Sequence, residues 1–194
     1  NEPLLIKRPY RSPHHSISPN ALAGGGAKPK PGEISLAHRG VLFLDELAEF
    51  KRETLEVLRQ PMEDGKISIS RIKGSYIFPA DFILAAATNP CKCGFYPDRN
   101  KCRCDIRQIQ HYLGRISKPL LDRIDICVET RPLSYSELRK EGSGETSAAI
   151  RKRVEAVRLI QNERFKKHGI SFNGQMDKKL VDRYCLLSKK DEEF

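Results

Sequence analysis

A chain of 194 residues with 39% hydrophobic and 31% charged side chains is long enough to bury a real core, which excludes a small stapled scaffold. No stretch approaches the roughly 20 apolar residues of a membrane-spanning helix, so that class is excluded as well. A formal charge of +10 favours polyanionic partners, because each Lys or Arg that neutralises a phosphate releases a condensed counterion, although basic residues scattered for solubility give the same count.

The chain opens on Asn1-Glu2-Pro3-Leu4-Leu5-Ile6, without an initiator Met and without the basic flank and long apolar centre of a signal peptide. This leads to the expectation of part of a longer cytoplasmic protein. Residues 6–11 read as a short strand, which Pro9 confines to an edge or a bulge. His14-His15 invites a metal reading, but adjacent side chains on an extended segment point apart, which favours a polar contact near a nucleotide or at a subunit interface. The stretch from Gly24 to Gly32 is too rich in Gly and Pro for a regular element. It is not a phosphate loop, because Lys28 is followed by Pro29 where that motif needs Ser or Thr. A mobile basic loop presenting Lys28 and Lys30, lining a pore, is the expectation.

Residues 33–38 predict about two helical turns. They lead into Gly40-Val41-Leu42-Phe43-Leu44-Asp45-Glu46, whose unbroken apolar run reads as a strand buried on both faces. It ends on two carboxylates, at the end of the strand where α/β proteins bind ligands. Next, Leu55 and Leu58 fall at helical spacing among opposite charges, with a distortion expected at Pro61 and an end near Asp64-Gly65. Alternation through Ile67, Ile69, Tyr76 and Phe78 predicts a hairpin with Arg71 and Lys73 near its tip. Residues 82–89 read as a second buried strand, ending in Thr88-Asn89.

Four of the six Cys fall within fourteen residues, at Cys91, Cys93, Cys102 and Cys104. In a cytoplasmic protein such clustering favours metal ligation or free thiols over disulfides. Residues two apart on a strand share a face, so a hairpin turning at Pro97-Asp98-Arg99-Asn100 would aim four thiols at one tetrahedral zinc, with Lys92, Lys101 and Arg103 offsetting the charge. The C-x-C spacing is tighter than the usual C-x₂-C, and a reduced loop or adventitious disulfides is the alternative. Cys127 and Cys185 read as buried small hydrophobes.

A polar helix over 105–114 and a strand over 124–129 follow. Arg131-Pro132 marks a boundary and residues 141–144 a flexible joint. Residues 147–167 form one long amphipathic helix, with Ile150, Val154, Val157, Leu159 and Ile160 as its apolar positions, and residues 178–187 a shorter one. The fold class is α/β, a parallel sheet with flanking helices over residues 1–131, followed by the beginning of an all-helical unit over 133–194.

Taken in order, these pieces resemble AAA+ ATPases, and among them the magnesium-chelatase-like ComM/YifB family. The resemblance is carried by Arg8-Pro9-Tyr10-Arg11-Ser12-Pro13-His14-His15, Pro31-Gly32-Glu33-Ile34-Ser35-Leu36-Ala37-His38, Leu42-Phe43-Leu44-Asp45-Glu46, Ala87-Thr88-Asn89-Pro90-Cys91 and Pro119-Leu120-Leu121-Asp122-Arg123-Ile124-Asp125. It implies a partial P-loop ATPase core followed by a truncated helical lid. Asp45 and Glu46 would be the Walker B pair that serves Mg²⁺ and the attacking water of ATP hydrolysis, Asn89 the sensor of the γ-phosphate, and Arg123 an arginine finger reaching the next subunit. For Arg123, an ion pair with Asp122 or Asp125 is the plain alternative. The resemblance further implies a homo-oligomeric ring, a hexamer in this family, acting on DNA in branch migration, with Lys28, Lys30, Arg71 and Lys73 as pore and DNA contacts. The phosphate loop and the second sensor arginine are missing from these residues, which predicts a gapped or rearranged sheet and no ATP turnover by these residues alone. A chelatase-type motor acting on a protein partner and a non-catalytic basic zinc module are the competing readings.

Overall fold

The computed structural model describes residues 7–71, 74–130 and 144–187. Two compact units divide the chain, Asn1–Glu129 and Thr130–Phe194. The first is a parallel sheet with flanking helices and the second is helical. Lys73, the boundary at Arg131-Pro132 and all of the expected joint except Gly144 lie outside the described residues.

In the first unit, β1 (Tyr10–Arg11) leads to α1 (Pro19–Ala23), which starts where Pro19 needs no N–H and Ser18 Oγ accepts the Ala21 N–H at 3.2 Å. The glycine-rich stretch that predicts a mobile loop instead folds into a small antiparallel hairpin, β2 (Gly24–Gly25) and β3 (Lys30–Pro31). Gly24 makes this possible, because at φ 102 a Cβ there would lie 2.5 Å from the carbonyl oxygen of Lys30. Next comes α2 (Glu33–Leu36), one turn rather than two, and its Glu33 receives Arg11 in a bidentate pair at 2.6 and 2.7 Å.

The central strand is β4 (Val41–Leu44), and it pairs in parallel with β1 on one side and with β7 (Ile83–Ala86) on the other, so that Leu44 faces Ala86 across the ladder. The unbroken apolar run predicts two sealed faces, but only Leu42 and Leu44 are wholly buried. Val41 and Phe43 are half-buried, and the Phe43 ring stacks on Tyr10 at 6.3 Å between centroids. β7 is open as well, with Ile83 67% exposed, and no further strand pairs with its other edge among the described residues.

After a short 3₁₀ turn at Leu47–Glu49 come α3 (Arg52–Glu56) and α4 (Arg59–Asp64). Sequence periodicity predicts one helix distorted at Pro61, whereas the break falls at Val57-Leu58. The reason is local: Pro61 has no N–H for the carbonyl of Val57, four residues back, and its ring crowds that carbonyl, so the chain restarts with Pro61 in the first turn of a new helix. The expected hairpin is present as β5 (Lys66–Arg71) and β6 (Gly74–Pro79), in register from Lys66 with Pro79 to Arg71 with Gly74. The polar helix is α5 (Ile106–Leu113), started by a capping box between Asp105 and Gln108, and α6 (Lys118–Leu121) follows. Leu22, Ile34, Leu42, Leu44, Phe50, Leu55, Leu58, Tyr112 and Leu120 close the core under the sheet. Each buried leucine contributes about 2 kcal/mol of transfer free energy.

The strand expected over residues 124–129 does not form: Ile126 and Val128 stand 79% and 77% exposed, and Cys127, expected inside, is exposed with them. An alternating apolar pattern becomes a strand only when it pairs with an edge that takes its N–H and carbonyl groups, and among the described residues this segment pairs with none, although the outer edge of β7 is free.

The second unit holds α7 (Ser147–Phe165), capped by Thr146, and α8 (Lys178–Tyr184), capped by Asp177 Oδ1, which accepts the Leu180 N–H at 2.9 Å. Phe165 is wholly buried, edge-on to Tyr184 and His168, while the predicted apolar positions Ile150, Val154, Val157, Leu159 and Ile160 are 42% to 69% exposed. Cys185 is exposed just past the end of α8, again against expectation. Among the described residues no helix is long and apolar enough to cross a membrane.

Candidate functional site

The ladder between β4 and β7 brings two polar strand ends to one end of the sheet. It continues past the last paired residues, with Ala87 N–H donating to Leu44 O at 3.0 Å and Leu47 N–H to Ala87 O at 2.8 Å. Asp45-Glu46 and Thr88-Asn89 therefore leave adjacent parallel strands at the same level, and all four are exposed. Asp45 Oδ1 accepts the Glu46 N–H at 2.9 Å, and Glu46 sits in the left-handed region at φ 54 and ψ 47. For a residue with a side chain that conformation costs on the order of 1 kcal/mol, held here by the paired strands on either side.

Around this end, His15 Nδ1 lies 3.2 Å from Glu46 Oε2, and the His15 ring packs against His14 at 4.0 Å between centroids and edge-on to Phe50. The polar contact expected of His14-His15 thus falls on the acidic strand end. Arg115 Nη1 donates to the carbonyl of Ala48 at 3.1 Å and pairs with Glu49 at 3.3 Å, tying the segment after α5 to the turn that follows Glu46. Tyr112, from α5, shares a hydrogen bond with the Thr88 side chain. Burial, then the Glu49 carboxylate, pushes the Tyr112 phenol up, more than the bond to Thr88 draws it down. Sequence reasoning missed Tyr112, Arg115 and Glu49. Their one signal was the three-residue spacing of Ile109 and Tyr112, the two buried positions of an otherwise polar helix.

Arg123 lies just beyond α6. Its guanidinium bonds to the Glu63 carboxylate on α4 and to the carbonyl of Pro119. The ion pair is neither with Asp122 nor with Asp125. Lys28 and Lys30 are exposed on the β2–β3 hairpin, and Arg71 ends β5. The two hairpins meet where Gly24 approaches Ile69, whose Cδ1 lies 3.3 Å from where a Gly24 Cβ would be.

Asn89 runs directly into the cysteine loop. No strand forms in residues 91–104, so the expected hairpin gives way to successive turns: Gly94 N–H to Cys91 O at 3.0 Å, Asp98 N–H to Phe95 O at 2.8 Å and Cys102 N–H to Asp98 O at 2.7 Å. The turns still gather the sulfurs. Cys91 Sγ is 3.3 Å from Cys93 Sγ and 3.8 Å from Cys102 Sγ, Cys93 and Cys102 are 3.6 Å apart, and the four atoms, that of Cys104 included, lie within 4.8 Å of one another. Burial pushes the Cys91 thiol up, but the backbone N–H of Tyr96 and the thiols of Cys93 and Cys102 outweigh it and bring it down to about 6. Cys102 goes the other way, to about 11, chiefly because it is buried.

The profile described as "Magnesium chelatase, subunit ChlI" matches residues 1–138, and that of the "Magnesium chelatase, subunit ChlI C-terminal" matches residues 144–194. Competence protein ComM of Haemophilus influenzae is 49% identical over 189 residues, which is 97% of this chain and 36% of that protein. YifB of Escherichia coli is 46% identical over 187 residues, 95% of this chain and 36% of its own length. The magnesium-chelatase 67 kDa subunit of Chlorobaculum tepidum is 28% identical over 120 residues, 62% of this chain and 16% of the other. The chain therefore spans 36% of the length of its ComM and YifB relatives. Among solved structures, NtrX from Brucella abortus in complex with ATP overlaps 61% of this chain and 25% of its own at 20% identity and a TM-score of 0.41, a likeness too slight to bear on function. The profile match over residues 1–138, with ComM and YifB aligned along nearly the whole sequence, leads to one conclusion: the chain belongs to the magnesium chelatase subunit ChlI family.

Proposed function

We propose that this chain is the core of an AAA+ motor that hydrolyses ATP to remodel DNA, working within a longer protein and as a homo-oligomeric ring, by family resemblance a hexamer in the cytoplasm. The observation that carries the reading is the parallel pairing of β4 with β7, since it brings an acidic pair and an amide to one end of adjacent strands, where α/β proteins bind ligands and where such groups suit a Mg²⁺–nucleotide. Asp45 and Glu46 are exposed there, so their charge and access suit a Mg²⁺–nucleotide. Bound at that end, Mg²⁺ would neutralise charge on the phosphates of ATP. Asp45 would hold the ion. Glu46, its carboxylate steadied by His15, polarises the attacking water, and Asn89 reads the γ-phosphate. Arg123 exchanges Glu63 for the nucleotide of an adjoining subunit, which ties turnover to ring assembly.

Residues 1–131 form the motor core in this reading, and residues 133–194 the first part of its helical lid. Lys28, Lys30, Arg71 and Lys73 face DNA in the pore. The 194 residues alone do not turn over ATP, because their sequence contains no Gly-x₄-Gly-Lys-Ser/Thr phosphate loop. A second reading, a chelatase-type motor acting on a protein partner, is favoured by the family description itself.

The test is ATP hydrolysis by the full-length protein that contains this chain, with and without single-stranded and branched DNA. Turnover stimulated by DNA, and abolished in Glu46→Gln while ATP still binds, is the expected result. Turnover indifferent to DNA favours the chelatase-type reading, and a normal rate in Glu46→Gln removes the role given to that residue. Replacing Arg71 and Lys73 is expected to weaken DNA binding and flatten its dependence on salt.

A further inference from the structure

We propose that Cys91, Cys93, Cys102 and Cys104 bind one zinc ion, a structural site that staples residues 91–104 to the end of the sheet. The positions of the four sulfurs point to the ion by themselves, whatever the sheet end binds. Four ligands about 2.3 Å from a tetrahedral zinc stand about 3.8 Å from one another. The sulfur separations of 3.3, 3.6 and 3.8 Å fit one such ion. They do not fit a disulfide, whose sulfurs are bonded at about 2.05 Å, and all four thiols are free. An iron–sulfur cluster is too large as well, because its thiolates must stand around several iron and sulfide atoms, whereas these four atoms lie within 4.8 Å.

The surroundings favour an ion over a thiol cluster. Cys91 is wholly buried and Cys102 is 5% exposed, and with Ile109 they form a small core of their own against which Tyr96 and Cys104 pack. Fourteen residues of turn with so little apolar content, and Phe95 53% exposed among them, do not bury enough surface to fix one conformation. The loop is nevertheless built around the sulfurs. The Tyr96 backbone N–H donates to Cys91 Sγ, the kind of outer contact that holds a thiolate ligand in place. Arg99 donates to the carbonyl of Cys104 at 2.9 Å and stacks over Tyr96 at 5.0 Å from the ring centre. Lys92, Lys101 and Arg103 are exposed beside the four cysteines in sequence, and their positive charge offsets the net charge of −2 that four thiolates and one Zn²⁺ carry. A closed four-sulfur shell with no open ligand position makes the role structural rather than catalytic.

What the ion holds follows from where the loop lies. It begins one residue after Asn89-Pro90 ends β7's extension and stops at Asp105, the cap of α5. Gly94, at φ 81, turns its bare Cα to the Asn89 side chain, whose Cγ and Oδ1 lie 3.9 Å from where a Cβ would be. Zinc in the loop therefore fixes both the backing of Asn89 and the entry of α5.

The test begins with the full chain purified without added zinc, its metal content measured by mass spectrometry and its zinc release followed with an indicator while the thiols are titrated by a mercurial. About one zinc per chain, released as the four thiols react, is the expected result. Cys102→Ser and Cys91→Ser are expected to drop the zinc content below about half an ion per chain. Should those variants not fold, cobalt substituted into the wild-type chain keeps the question open to an answer, with the visible bands of tetrahedral thiolate-bound cobalt expected. Zinc below about half an ion per chain in the wild type, four thiols that titrate freely, or iron in place of zinc would overturn the proposal. Hydrogen exchange after chelation adds the readout for the staple: protection is expected to fall in residues 91–113 and to persist in β4, and equal loss in both would refute a local role.

Discussion

The sheet end and the cysteine loop are adjacent in sequence yet held by different physics. β4 and β7 owe their position to a ladder laid over Leu42, Leu44, Phe50, Leu55 and Leu58, whose burial no single contact dominates. The loop from Cys91 to Cys104 has almost no apolar surface to bury and relies on turns around four sulfurs. One region is specified by many weak contributions spread along the chain, the other by a few residues whose positions must all be right. Residues 124–129 sit between the two, since they have the apolar pattern of the first region yet pair with no strand among the described residues.

Substitutions separate the two regions, beginning with the sheet. Leu44→Ala removes a wholly buried side chain from the central strand and is expected to destabilise by about 2–5 kcal/mol, read from urea unfolding. Because the loop hangs from the strand beside it, this variant is expected to loosen residues 91–104 as well. Loop substitutions are not expected to loosen β4, so the dependence runs one way. Next in size is Asp105→Ala, which deletes the capping box between loop and α5 and is expected to cost about 1 kcal/mol, with exchange rising in the first turn of α5. Arg11→Ala breaks the bidentate pair with Glu33 that fastens β1 to α2. As both groups are partly exposed, about 0.5 kcal/mol is expected, shrinking as salt is raised. Smallest is Ile126→Ser, expected to stay within about 0.5 kcal/mol of the parent chain because the side chain packs on nothing that holds the fold. A cost near that of Leu44→Ala would mean that residues 124–129 are paired after all.

Several elements were legible because their cause is local. Asp105 and Gln108 announce the start of α5, and the alternation on either side of Lys73-Gly74 the β5–β6 hairpin, each written in residues a few positions apart. The Ser18-Pro19 start of α1 is equally local, yet sequence reasoning missed it. Pro61 was legible too, but its consequence was misplaced by four residues because the clash it causes falls on the carbonyl of Val57 rather than on itself. The cysteine spacing pointed to one cluster, although turns rather than a hairpin gather it.

By itself, then, the sequence determined the apolar strands, the capped helices, the cysteine cluster and, through five ordered motifs, the family to which the chain belongs. Only the tertiary structure decided that β4 lies between β1 and β7, that His15 meets Glu46 and Arg123 meets Glu63, and that residues 124–129 with Cys127 stay outside. The reason is distance along the chain. Propensity, capping and periodicity act over a few residues, whereas pairing partners and burial depend on which distant segments arrive at the same place, and one sequence pattern serves equally for a strand that finds an edge and for one that does not.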